Sequence, residues 1–131
     1  MTRIPILLPE NMTDDQRQVH DTIVSGPRGA VRGPLAVWLN RPELASAAQA
    51  LGRYCRFETS LVPRLSELAI LTTARVWSSE FEWSAHKPIA LEAGLSPDII
   101  EAIRTHQNPI FGNEDEAVVH AFSKTLHTDR H

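Results

Sequence analysis

Residues 67–86 read ELAILTTARVWSSEFEWSAH, and the order of apolar and ionisable side chains along them decides the fold. A carboxylate, Glu67, opens the stretch inside a segment, Leu65 to Val76, that is apolar almost all round. Such a segment suits a helix at the centre of a core. Ser78 and Ser79 stop that helix and cap the next, which starts near Glu80, carries Phe81, Trp83, His86, Ile89, Ala90 and Ala93, and ends at Gly94. Pro88 cannot donate to the Ser84 carbonyl, so a kink is expected just past His86. A short turn folds two such helices back as antiparallel neighbours. Glu67 and His86 then meet in a mostly apolar setting, an arrangement suited to acid–base chemistry.

Outward from this pair the chain reads as further helices. Residues 1–12 form an extended arm, since Pro5 and Pro9 fix φ and remove donors. Thr13 with Gln16 is a capping box that starts a helix to about Val24, with Val19 and Ile23 inward. SGPRGAVRGP, residues 25–34, is a loop, and no Gly-Lys-Ser/Thr follows to make it a phosphate-binding one. Leu35 to Leu39 make a short apolar turn. Asn40 with Glu43 reads as a second capping box, opening a helix from Arg41 to about Phe57. Its inward stripe is Leu44, Ala47, Ala48, Leu51 and Cys55. Val62-Pro63 opens the central helix, Ser96-Pro97 caps one reaching about Thr105, and Asn113 with Glu116 starts one to about His127. No strand alternation and no internal repeat is found, so the expected class is all-α, one domain over residues 13–131.

Composition narrows the function classes. The 42% apolar and 22% charged content is that of an ordinary globular protein, and a net charge of -3 offers no basic face for nucleic acid. No apolar run approaches the roughly 20 residues of a membrane span. The start lacks a full h-region and a small-residue cleavage site, so a cytoplasmic location is expected. Cys55 is the single cysteine, which excludes an intramolecular disulfide and a Cys-x-x-Cys pair. Between Arg53 and Arg56 it could be activated, but a small buried hydrophobe is the favoured reading. Glu82 and His86 offer only two metal ligands without a His-Glu-x-x-His motif, and His20, His106, His120, His127 and His131 are scattered. No metal and no cofactor is expected.

Glu67, Ser79, Glu82 and His86 are spaced twelve, three and four apart. Glu82 and His86, at i and i+4, share one face of their helix, with Ser79 a turn earlier. Two structural alternatives stand beside a site: Ser79 and Glu82 as a capping box, and Glu67 paired with Arg64. The spacing resembles the carboxymuconolactone decarboxylase and alkyl hydroperoxidase D (AhpD-like) superfamily, as do the flanks RGPLAVWLNRPELA, RLSELAIL and EFEWSAHKPIALEAGLS, over roughly residues 25–105. The resemblance implies an AhpD-like helical bundle. Its peroxidase branch carries cysteines where Ser79 and Glu82 stand, so two-cysteine peroxidase chemistry, which needs thiols, is excluded here. Relatives usually continue with further helices, so this chain is either a variant shortened at the C-terminus or lacks its C-terminal part; in the second case the apolar faces of 62–76 and 80–93 are exposed or covered by another subunit. Relatives also form trimers or hexamers, and a homo-oligomer is implied.

What the resemblance implies for function is cofactor-free chemistry on a small carboxylated lactone or related acid. In that reading His86 is the general acid/base, Glu67 orients it, and Glu82 tunes it or holds substrate. Trp77 and Trp83 wall the pocket and Ser79 binds substrate beside them; the loop residues Arg28 and Arg32, read on their own chemistry, hold the substrate carboxylate through paired N–H donors. The plainer view of those two arginines is a pair of solvated loop residues. Two other functions compete: a non-catalytic helical assembly protein whose site residues now serve packing, and a peroxide-linked enzyme using Cys55.

Overall fold

The computed structural model describes residues 4–129, so the first three residues of the expected arm, and His131, lie outside the described residues. The fold is all-α and AhpD-like, with seven α-helices and no strand among the described residues. None of these helices is long and apolar enough to cross a membrane. Backbone contacts gather the chain into two compact units, one ending at Thr59 and the other beginning at Ser60.

The first unit begins with extended chain and a 3₁₀ turn, Pro9–Asn11, whose Pro9 carbonyl accepts from the Arg17 guanidinium at 2.7 Å. Helix α1, Asp14–Ser25, starts on the expected capping box: Gln16 N–H donates to Thr13 Oγ1 at 3.3 Å, and Thr13 N–H to Gln16 Oε1 at 3.0 Å. Helix α2, Pro34–Trp38, is a short turn, and α3, Pro42–Phe57, receives both α1 and α2. The core of this unit is Met12, Leu39 and Ala45, with Leu7, Val19 and Val31 packed against it and Ile23 fully enclosed.

Two expectations for α3 are corrected. Its N-cap is Arg41 with no side-chain cap bond, while the Asn40 amide donates back to the Val37 carbonyl at 3.0 Å. Pro42 at the first helical position removes one of the donors that a cap would have served. The stripe of Leu44, Ala47, Leu51 and Cys55 is exposed, and only Ala45 is buried. Periodicity tells which residues share a face. It does not tell which face the neighbours cover, and here α1 and α2 leave this stripe open. A Cβ at Gly52 would come within 2.7 Å of Arg28 Nη2, the far end of a flexible side chain that can move aside.

The second unit is organised around α4, Pro63–Val76, which packs against α5 (Glu80–Glu92), α6 (Pro97–Arg104) and α7 (Glu114–Thr128). Its core joins Leu68 and Leu71 of α4 to Trp83 and Ala90 of α5, then to Leu95, Ile99, Ile100 and Ile103. Fully burying a side chain of Leu, Ile or Phe size contributes about 1.5–3 kcal/mol, so this cluster is the main apolar support of the unit. Helix α7 covers α4 through a polar contact as well. Arg64 donates to Asp115 at 2.8 Å and to the buried carboxylate of Glu116. Glu116 is thereby engaged elsewhere, and the expected Asn113–Glu116 capping box does not form.

The link between α4 and α5 decides where the ionisable residues fall. Ser78 adopts φ 51, the left-handed region, while Ser79 N–H donates to Ala74 O at 2.8 Å and Ser78 N–H to Arg75 O at 3.2 Å. This pair of bonds is the Schellman helix end, which glycine usually serves. Helix α5 ends in the same way at Gly94, φ 89, with Leu95 N–H donating to Ala90 O at 2.9 Å. Between them α5 stays helical through Pro88. Ser96 caps α6 as expected, accepting from Asp98 N–H at 3.3 Å.

Candidate functional site

Helix α4 carries Glu67 on its buried face, three residues from Arg64 and one from Leu68. The tight turn at Ser78 returns the chain so that α5 presents Trp83, His86 and Ala90, spaced three and four apart, to the same core. Glu67 and His86 therefore meet. His86 Nδ1 lies 2.7 Å from Glu67 Oε2, and both residues are buried, 7% and 4% exposed. A carboxylate can only accept, so Nδ1 carries a proton and donates it. The alternative Arg64–Glu67 pairing is not formed, since Arg64 is taken by Asp115 and Glu116, whose hydrogen bonds raise its pKa above the ordinary value, Asp115 first.

The other imidazole nitrogen faces a second carboxylate. His86 Nε2 lies 3.4 Å from Glu82 Oε2, one turn earlier on α5. With Nδ1 protonated, Nε2 of a neutral imidazole is a lone-pair acceptor, and an ionised Glu82 is also an acceptor. Two acceptors at that separation repel unless a proton lies on one of them. The two groups therefore attract each other only when a proton lies between them, which makes the contact a place where a proton can be handed on. Side-chain exposure rises along the row, 5% at Glu67, 9% at His86 and 39% at Glu82, so solvent and ligands reach the row from the Glu82 end.

Glu82 opens onto a cavity of about 330 Å³, bounded on α4 by Ala69, Ile70, Thr73 and Ala74 and completed by Trp77 and Ser79. The size is at the lower end of small-molecule sites, and the wall is mostly apolar, as such sites are. Trp77, 63% exposed, stands at the mouth. Its indole N–H donates to His127 Nδ1 at 3.2 Å, which leaves the His127 proton on Nε2, donated to Thr73 Oγ1 at 3.1 Å. This bond ties the outer wall of the cavity to α7.

Five of the residues singled out in the sequence thus come together: Glu67, His86 and Glu82 as a row, with Trp77 and Ser79 on the cavity wall. Ser79 precedes α5 without a side-chain cap bond, so the capping box with Glu82 is absent. Trp83 is not on that wall. It is 9% exposed and packed in the core, where its ring supports α5 from behind. Arg28 and Arg32 belong to the first unit. Arg32 is exposed, and the Arg28 guanidinium lies over the Phe57 ring at 5.9 Å. Sequence reasoning missed the Thr73–His127–Trp77 chain, because its partners are about fifty residues apart and carry no local spacing signal. No group of three or more His, Cys, Asp or Glu side chains converges to hold a metal among the described residues. The imidazole of His86 separates the two carboxylates instead of sharing a point with them.

No curated protein and no solved structure gives a match to this chain. The carboxymuconolactone decarboxylase family is matched over residues 42–124, which covers more than half of the chain, including α4, α5 and the whole Glu67–His86–Glu82 row. The chain belongs to the carboxymuconolactone decarboxylase family.

Proposed function

We propose that this chain is a cofactor-free acid–base enzyme of the family's decarboxylase type, acting on a small carboxylated lactone or a related acid. One observation carries the reading: a buried carboxylate, an imidazole and a half-exposed carboxylate stand in a row that ends in an apolar cavity. Loss of CO2 leaves a carbanion or enolate that must be protonated. Glu82 is the group in reach of such a carbon, and His86 behind it supplies the proton through Nε2. Glu67 holds the ring by Nδ1 and offsets the positive charge while the imidazole is protonated. The cavity wall includes no Lys or Arg, so a substrate carboxylate fits best at the open mouth beside Trp77, away from Glu82.

The test is turnover of a carboxylated lactone by His86→Ala and Glu82→Gln. Both variants should lose at least about a hundredfold in kcat, the usual worth of general acid–base catalysis, with the helical circular dichroism unchanged. Wild-type activity in both would refute the assignment.

We also propose that the protein self-associates, as a trimer or hexamer. The support is an apolar stripe on α7, where Val118, Phe122 and Leu126 are 61%, 69% and 47% exposed at helical spacing. Size-exclusion chromatography with light scattering that returns a monomer would overturn this part.

A further inference from the structure

A second cavity of the Ser60–His131 unit has the opposite chemistry. It is a cup of about 80 Å³, and its polar wall is Thr72 and Arg75 of α4, His106 and Gln107 just after α6, and His120 and Lys124 of α7. No Asp or Glu is among its lining residues. The Thr72 hydroxyl is spent on the Leu68 carbonyl at 2.8 Å, so every remaining polar side chain on the wall is a cation, an imidazole or an amide. Arg75 Nε is shut off from solvent and has no hydrogen-bond partner among the described residues. An atom closed to water does not itself line the cup, so Arg75 meets a ligand there through its other guanidinium nitrogens. Among the described residues Arg75 is paired with the carboxylate of Glu80, at 3.6 Å from Nη1 and largely exposed. It reaches the outer nitrogen and leaves Nε unserved.

We infer that this cup binds a small oxyanion, a phosphate or carboxylate group, between Arg75 and Lys124, with His106, His120 and Gln107 as further donors. Charge-assisted bonds from a guanidinium and an ammonium are what hold such groups elsewhere. At about 80 Å³ the cup suits one oxyanion group and not a whole metabolite. The rest of a larger ligand would lie outside. His120 adds a consistency. Burial, then the neighbouring Lys124 charge, holds its imidazole below the ordinary value. An anion seated between them would offset the Lys124 charge and let His120 take up its proton more readily. The groups facing His120 are then Lys124 on its own helix, Arg75 on α4, His106 after α6, and the Phe111 ring at 5.2 Å.

The test is titration of the full chain with inorganic phosphate and, separately, with acetate, at constant ionic strength held by sodium chloride. Ring resonances of His120 are followed by NMR, alongside the melting temperature. Saturable binding of either anion, with an upward movement of the His120 titration, is expected, and the tighter anion tells which group the cup prefers. Arg75→Gln should weaken binding at least about tenfold. Lys124→Gln, on the exposed rim and not at risk of unfolding the chain, should weaken it and abolish the His120 response. Responses that chloride reproduces equally, or that survive Lys124→Gln unchanged, would overturn the inference. The reading of Glu82 and His86 as catalytic is untouched by either result.

Discussion

Removing the Glu67 carboxylate separates a packing role from a catalytic one. Glu67→Ala takes the acceptor from a 2.7 Å hydrogen bond in which both partners are buried, 4% and 7% exposed. The His86 Nδ1–H is then left without a partner inside the core. Breaking a buried pair from one side typically costs about 3–5 kcal/mol, most of it the desolvation of the group left behind. Glu67→Gln keeps an acceptor oxygen in nearly the same place. It loses only the charge assistance, so about 1 kcal/mol is expected. Urea unfolding of both variants, compared at a common m-value, reads the difference. Turnover of a carboxylated lactone reads the other axis. The Gln variant, almost wild-type in stability, should still lose most of its kcat, because a neutral amide no longer offsets the charge on a protonated His86. An Ala variant within 1 kcal/mol of wild type would refute the buried pair. A Gln variant with full turnover would leave the pair as packing alone.

Three further predictions follow from other contacts. Arg64→Met should cost about 3 kcal/mol in the same urea assay, since it strands the Glu116 carboxylate, which is 3% exposed; a change below 0.5 kcal/mol, as for ordinary surface positions, would contradict the contact. Ser78→Gly relieves a left-handed φ of 51, worth roughly 1–2 kcal/mol, against a chain-entropy loss of roughly 0.5–1 kcal/mol, so a small net gain in stability is expected. Calorimetry giving a lower melting temperature would refute it. His120, held below its ordinary pKa by burial and then by Lys124, binds its proton later in the folded chain than in the unfolded one. Its contribution is complete above the unfolded value near 6.5 and is lost as pH falls toward the lower folded value. Melting curves of His120→Gln in Bis-Tris chloride should therefore fall less steeply with decreasing pH than those of the parent.

How much of this was legible in the sequence depended on the reach of each signal. The helices, the Thr13 and Ser96 caps and the Glu67–His86 meeting follow from local spacing and from one apolar segment bounded by Ser78 and Ser79. The two capping boxes at Asn40 and Asn113 failed where another interaction claimed the residues: Pro42 and the Val37 carbonyl in one case, Arg64 in the other. The α3 stripe has the expected period and the opposite direction, because periodicity contains no information about which face a neighbour occupies. Chemistry alone points Trp83 to a pocket wall. Its position one residue past Glu82 turns it about 100° round the helix, into the core. The cationic cup could not be foreseen, since it draws on three helices whose residues are charged at ordinary surface frequency.

Helix α4 sends Arg64 and Thr73 to α7, Glu67 to His86, Ile70 to the apolar cavity and Arg75 to the cationic cup. These errands are distributed by angle, so α4 works as a phase reference for the whole unit. Loss or gain of one residue near its middle would turn everything beyond by about 100° and shift it by about 1.5 Å. Thr73 and Arg75 would then miss their partners at the same stroke, while Arg64 kept its own. Substitutions along α4 can fail one at a time; a frame slip of a single codon could not.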